Sequence, residues 1–329
     1  MATLILFLLL IGACLLSLKY GQMSITLVDI VKSFVNYDHS LEGDVILNLR
    51  LPRVLFAALA GCGLALAGYV MQATVQNPLA DPYILGISSG ASLGAAFALF
   101  LGGSIPMIYR ELMVSTSAFG GALLAIILVY LTANYRGRVT SIRLVLAGVI
   151  MNTLCTAIIN LLIYSAKNIE AIRSVTFWTM GSLADISWAQ VGGFGLLLLL
   201  IVGYFFTQLR SLNLVTLGDE TASTLGVDAQ QKRKHYMFMV TLLTGVMVAQ
   251  CGIIGFVGLI IPHMVRGVCK TSNSRILPLV LLSGALFLVL IDLLSRVVLT
   301  NQEVPIGIIT SIIGAPIFLI IFIKQGYGS

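Results

Sequence analysis

VLFAALAGCGLALAGYVMQATVQNPLA, residues 54–80, runs for twenty-seven positions without one Asp, Glu, Lys, Arg or His. A helix needs roughly 20 apolar residues to cross the hydrocarbon core of a bilayer. Comparable charge-free runs occupy 1–18, 82–109, 112–135, 144–166, 186–209, 236–262, 276–291 and 304–323. Nine such runs exceed what the interior of a soluble domain can hold. The chain is therefore read as an all-α, polytopic membrane protein.

Ten spans are expected, over 2–19, 52–73, 84–102, 112–133, 143–165, 188–208, 236–254, 256–269, 277–299 and 305–324. Gly252, Gly255 and Gly258 interrupt the long run before Pro262, which makes the eighth span short. An even number places both termini on one side. With both termini cytoplasmic, the inner loops and span ends carry Arg136, Arg138, Arg143, Arg210, Lys232, Arg233, Lys234, Arg266, Lys270, Arg275 and Lys324. Those are eleven of the nineteen basic residues, and the Lys232-Arg233-Lys234 cluster beside a span sets the orientation most firmly. Acidic residues such as Asp29, Asp38, Glu42 and Glu303 then lean outward.

Composition agrees: 58% of the 329 residues are hydrophobic and 10% charged, with a mean hydropathy of +1.03. After ten spans only loops remain, so residues 1–329 read as a single transmembrane domain. Any ATPase or receptor domain must belong to another chain. The net charge of +6 reports loop charge biased toward the cytoplasm rather than nucleic-acid binding. Cys14, Cys62, Cys155, Cys251 and Cys269 sit singly, without the spacing of a disulfide framework or a metal site. Ile11-Gly12-Ala13-Cys14 looks like a lipoprotein cleavage box, yet no basic residue precedes the apolar stretch, so 2–18 is kept as the core of the first span. Glycines such as Gly61, Gly63 and Gly68, or Gly86, Gly90 and Gly94, leave small faces that let helices approach closely.

The longest polar inner segment is RSLNLVTLGDETASTLGVDAQQKRKH, residues 210–235. It is expected to form two short helical pieces separated at Gly218. Asp219 and Glu220 suit the positive end of the second, and Gly226 closes it. A few leucines among polar residues fit docking into a groove of another protein; a plain surface loop fits as well. Loop 74–84, TVQNPLADPYI, is kept irregular by Pro78 and Pro82, with Asn77 and Asp81 at its mouth. Irregular backbone at membrane depth lines a water-filled route or is buried in protein. GRVTSIR, 137–143, is another short polar turn.

Asp292 and Arg296 lie four apart on one helix face and are expected to pair. Arg50 and Arg53 flank Pro52 at the outer end of the second span, either snorkelling to the interface or receiving acidic residues of an external partner. Gly86-Ile87-Ser88-Ser89-Gly90 matches G-x-S-x-G, but a nucleophile elbow needs a strand before it and a histidine partner. His39, His235 and His263 all fall in other segments. The chain has no phosphate-binding G-x-x-x-x-G-K-[ST] loop.

Five stretches together resemble the permease subunits of type II ABC importers, the FecCD-like family that takes up iron-siderophores, haem and cobalamin. They are LRLPRVLFAALAGCGLALAGYVMQ (49–72), QNPLADPYILGISSGASLGA (76–95), the 214–226 segment, GIIGFVGLIIPHMVR (252–266) and PIGIITSIIGAPIFL (305–319). The resemblance implies ten transmembrane helices and a second permease subunit, identical or related. It also implies ABC ATPase subunits beneath and an extracellular substrate-binding protein, a lipoprotein in Gram-positive bacteria. The chain itself would hold no cofactor or metal; ATP and Mg would bind the partner ATPase. Its place would be the bacterial cytoplasmic membrane.

Residue by residue, the resemblance implies that Leu217, Gly218, Asp219, Glu220, Ala222, Leu225 and Gly226 couple to the ATPase. It places Asn77, Leu79, Thr140 and Ser141 at a cytoplasmic gate, and assigns Arg50, Arg53 and Arg296 to docking of the binding protein. The mechanism expected is alternating access without chemistry in this chain. Asn152, Thr153, Thr156, Asn160, Thr310 and Ser311 are expected to line the pathway with weak polar contacts, because a large chelate must not stick. The rival reading is an ion-gradient-driven secondary transporter, which places ionisable groups at the midplane. Only Asp292 and Arg296 lie well inside a span, and they can neutralise each other. An intramembrane hydrolase would need Ser88 or Ser89. Ferric siderophore is the first expected cargo, then haem, then cobalamin.

Overall fold

A computed structural model describes residues 2–21, 23, 25–35, 40–102, 106–135, 139–166, 168–268, 273–299 and 302–324. Asp38, His39, Arg136, Arg138, Cys269 and Lys270 lie outside the described residues. Among those described, no strand occurs. In order the helices are α1 (Ala2–Lys19), α2 (Leu27–Val35), α3 (Leu41–Asp44), α4 (Leu51–Thr74), α5 (Ile87–Leu101), α6 (Met107–Asn134) and α7 (Ser141–Ser165). They continue with α8 (Ile169–Met180), α9 (Trp188–Thr216), α10 (Asp219–Thr224), α11 (Ala229–Cys251), α12 (Val257–Val268), α13 (Asn273–Val297) and α14 (Ile306–Lys324).

Among the described residues, six helical stretches are long and apolar enough to cross a membrane: Ala2–Lys19, Leu41–Thr74, Tyr109–Asn134, Ser141–Ser165, Trp188–Thr216 and Ile276–Val297. Ile87–Leu101, Val257–Val268 and Ile306–Ile321 are apolar but shorter. Nine of the ten expected spans overlap these apolar helices. α11 does not qualify as an apolar span, because its first turns carry Gln230, Gln231, Lys232, Arg233 and Lys234. The outward surface is that of a membrane protein: Leu4, Phe7 and Leu8 on α1, Ile150 and Leu154 on α7, and Leu199 and Leu200 on α9 are all exposed. A soluble fold does not present apolar surface on this scale.

The chain divides into two compact units, and α4 and α9 contribute to both. The first comprises 1–66, 182–200 and 254–329. Here α1 packs on α13, and α12 packs on α13 and α14. α4 meets α13 through glycines: a Cβ on Gly61 would lie 2.2 Å from the Gly284 carbonyl oxygen. The rings of Phe56 and Phe194 sit 5.3 Å apart in the core. Before α4 the backbone widens into a π-helical turn over Val45–Arg50, with Leu51 N–H bonded to Ile46 O. Pro52 explains it: proline donates nothing to Asn48 O, and its ring would clash with that carbonyl in an ordinary turn.

The second unit comprises 67–181 and 201–253. α5 packs on α6, α7 and α8, and α11 on α6. Small residues again set the distance. A Cβ on Gly94 would lie 2.0 Å from Ser117 O, and one on Gly148 would lie 2.0 Å from Ile84 O. With no hydrophobic drive between helices in lipid, such close backbone contact supplies the attraction.

Candidate functional site

The polar inner segment differs from its expected form at one end. α9 runs unbroken to Thr216, so residues 210–216 are the end of a long helix and not a separate short piece. Nothing in LRSLNLVT breaks a helix; the break waits for Gly218, whose φ of 105° only glycine adopts easily. α10 then closes at Gly226 with a Schellman pattern, Gly226 N–H to Ser223 O and Val227 N–H to Ala222 O. Asp228 caps α11 by accepting from Gln231 N–H at 3.0 Å. Ala222 is buried, whereas Leu217 and Leu225 are 61% and 56% exposed. Asp219 and Glu220 begin α10, Glu220 exposed to solvent and Asp219 partly so. The segment therefore presents two leucines and the Glu220 carboxylate outward on a short, capped scaffold.

Arg233 fixes that scaffold from below. It is 2% exposed, and its guanidinium donates to both Asp219 carboxylate oxygens, at 2.8 and 3.2 Å. It also donates to Thr74 O at 3.0 Å and Val139 O at 3.1 Å. Thr74 ends α4, and Val139 lies just before α7. The end of α4 is itself a Schellman turn, in which Gln76 takes the left-handed position with φ 54°. That strain is retained while Gln76 Nε2 donates to Val215 O at 2.9 Å. Asn77, Pro78, Leu79 and Ala80 form the next turn, with Asn77 Oδ1 accepting from Leu79 N–H at 2.9 Å. Thr140 caps α7, and Ser141 begins it. A cleft of about 650 Å³ is lined by Val139, Thr140, Asp219, Glu220, Ser223, Gly226 and Asp228. Of the expected gate residues, Thr140 thus shares one wall with Asp219 and Glu220.

The expected pathway residues are less uniform. Thr153 and Thr156 are exposed on α7, as is Asn160, and Ser311 is exposed on α14. Asn152 is half-buried and accepts a hydrogen bond from Ser89 Oγ at 2.6 Å. Thr310 is fully buried, with its hydroxyl donated to Gly307 O at 3.0 Å. Ser89 starts an α-helix with no strand before it among the described residues, so the G-x-S-x-G match lacks the context of a nucleophile elbow.

In the other unit, Arg50, Arg53 and Arg296 converge. Asp292 is 0% exposed and lies between Arg53 Nε at 2.8 Å and Arg296 Nη2 at 3.0 Å. The second contact is ionic, without hydrogen-bond alignment at Asp292 Oδ2. Arg53 also reaches Glu303 at 2.8 Å. The expected Asp292–Arg296 pair is therefore part of a larger network. Arg50 binds backbone instead, donating to Leu18 O, Lys19 O and Met23 O. Arg296 donates to Ser17 O and to the Ser17 hydroxyl. Together they satisfy the carbonyls that the last turn of α1 leaves open. All three arginines are 8% exposed or less, yet they line a cavity of about 270 Å³ with Glu303, Gly21 and Ala184.

The family model of the FecCD transport family matches residues 8–324. The chain belongs to the FecCD transport family. Among its relatives is the hemin transport system permease protein HmuU of Yersinia pestis, 38% identical over 85% of this chain and 83% of that protein. The molybdate import system permease protein MolB of Haemophilus influenzae is 36% identical over 98% and 95%. The vitamin B12 import system permease protein BtuC of Vibrio cholerae is 36% identical over 87% and 85%. A solved chain described as an inward-facing conformation of a metal-chelate type ABC transporter matches with a TM-score of 0.86, 33% identity and 98% coverage of each chain. This FecCD chain is accordingly an ABC importer permease, a multi-pass protein of the cytoplasmic membrane.

Two residues of the FecCD chain carry more than their sequence context suggested. Arg233 sits in the Lys-Arg-Lys cluster that sets the expected orientation, yet its neighbours behave differently: Lys232 reaches Gln208 at 2.7 Å and Lys234 lies 5.8 Å over the Tyr130 ring. Phe256 has φ 68° and packs where a Cβ on Gly314 would lie 2.6 Å from it. No local signal marks either one.

Asp81 gives loop 74–84 a pH dependence. It caps the turn Pro82–Leu85, accepting from Tyr83 N–H at 2.8 Å. Burial pushes its carboxyl from 3.8 up to about 6, against the smaller opposing pull of that hydrogen bond. The folded state then holds the proton more tightly than the unfolded chain. The neutral carboxyl contributes fully below pH 3.8, and that contribution is lost as pH rises through about 6. Asp81→Asn keeps an acceptor without the charge. Unfolding midpoints in detergent should fall further for the parent than for the variant between pH 4 and 7; parallel curves would refute the assignment.

Proposed function

We propose that this chain forms half of the membrane conduit of an ATP-driven importer that carries a metal chelate, an iron-siderophore first and haem or cobalamin next. In this reading ten helices cross the membrane with both termini cytoplasmic. A second permease subunit, identical or related, completes the pathway. An extracellular binding protein delivers cargo near Arg50, Arg53 and Arg296, and two ATPase subunits, which alone bind ATP and Mg, grip residues 217–226. ATP binding and hydrolysis bias the alternating-access equilibrium, which only differential affinity for the two states can do. Thr153, Thr156, Asn160 and Ser311 supply a weakly polar wall. The gate is Asn77, Leu79, Thr140 and Ser141.

The observation that carries this reading is the outward face of 217–226: exposed Leu217 and Leu225 beside the Glu220 carboxylate, on a segment tied to the end of α4 through Asp219 and Arg233. A free protein gains nothing from exposed leucines there; a docked partner covers them. The spread of substrates among the relatives, hemin, vitamin B12 and molybdate, supports selectivity residing largely in the binding protein. For the gradient-driven rival, the buried carboxylate is Asp292, and two arginines already neutralise it.

The test is uptake into proteoliposomes holding this chain with its ATPase. Uptake should require ATP and should fall at least tenfold in Glu220→Lys, as expected when reversal of one interfacial charge costs about 2 kcal/mol or more. Uphill transport by this chain alone on a proton or sodium gradient would overturn the reading.

A further inference from the structure

We infer that Arg233 is the positioning residue that transmits movement of the coupling segment to the gate, and that Asp219 is its internal partner rather than a contact of the ATPase. The inference rests on the permease reading above and extends it to a residue outside the 217–226 segment.

Three separate stretches of chain end on one guanidinium. Nε holds Thr74 O, the last carbonyl of α4; Nη1 holds Val139 O before α7; and Nη1 and Nη2 together hold the Asp219 carboxylate. The turn of Asn77 and Leu79 follows Thr74 closely, and Thr140 and Ser141 follow Val139 directly. Each half of the expected gate is therefore within a few residues of an atom bonded to Arg233. The guanidinium is planar and its donors are fixed in a fork, so the three acceptors are held in one mutual arrangement. A lysine ammonium offers three donors from a point and cannot reproduce that geometry.

The partners are unequal. Thr74 is 0% and Val139 5% exposed, so the two carbonyls form a buried anchor. The Asp219 side chain is 44% exposed and lines the 650 Å³ cleft. Asp219 is thus the one contact that moves with α10. When α10 is displaced, the bidentate pair pulls the guanidinium, and the carbonyls carry the displacement to both turns. Gln76, held to Val215 O at 2.9 Å, is a parallel tie to the end of α9. Glu220 lines the same cleft one residue on, which leaves it as the carboxylate available to a docked partner.

The experiment compares Arg233→Lys, Asp219→Asn, their combination and Glu220→Lys in the permease–ATPase complex. Uptake per ATP hydrolysed is measured in proteoliposomes. Amide exchange over 75–80 and 139–144 is followed with and without a non-hydrolysable ATP analogue. Arg233→Lys should keep the ATPase in the purified complex yet lower the uptake-to-hydrolysis ratio at least tenfold. Its nucleotide-dependent exchange change should persist at 219–226 and vanish at 75–80 and 139–144. The double variant should be no worse than Arg233→Lys alone, whereas Glu220→Lys should weaken retention of the ATPase instead. A normal ratio in Arg233→Lys, an additive double variant, or an unbroken exchange response at both turns would each overturn the inference. Exchange is read without cargo, so a parent complex that responds at both turns but imports nothing with ATP would refute the importer reading and leave the Arg233 link standing.

Discussion

Asp292→Ala should cost this protein about 3–5 kcal/mol, the range for removing one partner from a buried ionic group. Its side chain is fully buried, with Arg53 at 2.8 Å and Arg296 at 3.0 Å. Truncation leaves two buried guanidiniums facing each other, and only Glu303 remains as a carboxylate for Arg53. Both arginines then lose attraction and gain repulsion in a low-dielectric site. Because Arg296 also caps α1, the loss should spread to the first helix. Unfolding in detergent, followed by circular dichroism, should show the lower midpoint, and exchange should rise at the Ser17–Tyr20 end of α1. A shift equivalent to under about 1 kcal/mol would place the pair with weak surface bridges instead.

Gly121→Ala should be nearly as damaging, while Gly120→Ala, one residue away, should be harmless. A Cβ on Gly121 would lie 2.1 Å from Gly90 O and 3.2 Å from Gly94 Cα, and both of those atoms are backbone. No side chain can swing aside there, so α5 and α6 must separate, at a cost of about 3 kcal/mol for overpacking. A Cβ on Gly120 meets nothing within 4 Å. That variant should gain up to about 1 kcal/mol from the better helix propensity of alanine. Equal behaviour of the two would show that helix propensity, and not the α5–α6 contact, governs this region. Unfolding midpoints of the two single variants decide the matter.

The helices are legible because charge is excluded from lipid, and runs such as 54–80 and 304–323 admit one physical explanation. Gly226 and the break at 252–256 are legible too, since a left-handed or extended turn favours glycine. The end of α9 is not: hydropathy fades near Leu209, but a helix continues through polar residues until a breaker arrives. The left-handed Gln76 and Phe256 are invisible, because neither residue type advertises that conformation. Arg233 reads from sequence as one of three equivalent cations. The cluster Lys232-Arg233-Lys234 reports its charge but not which of three adjacent side chains, about 100° apart around the helix, points inward. Likewise Asp292 and Arg296 stand out as a pair, while Arg53, 239 residues from Asp292, joins them only through the fold.

The arginine caps on α1 impose an order on biogenesis. Ser17 and Arg296 are 279 residues apart, so α1 awaits a clasp made 279 residues later in synthesis. Until then its terminal carbonyls have only Arg50 and water to satisfy them. A nascent chain arrested before residue 296 would hold α1 loosely in the lipid, and quality-control proteases that probe membrane segments would find it there.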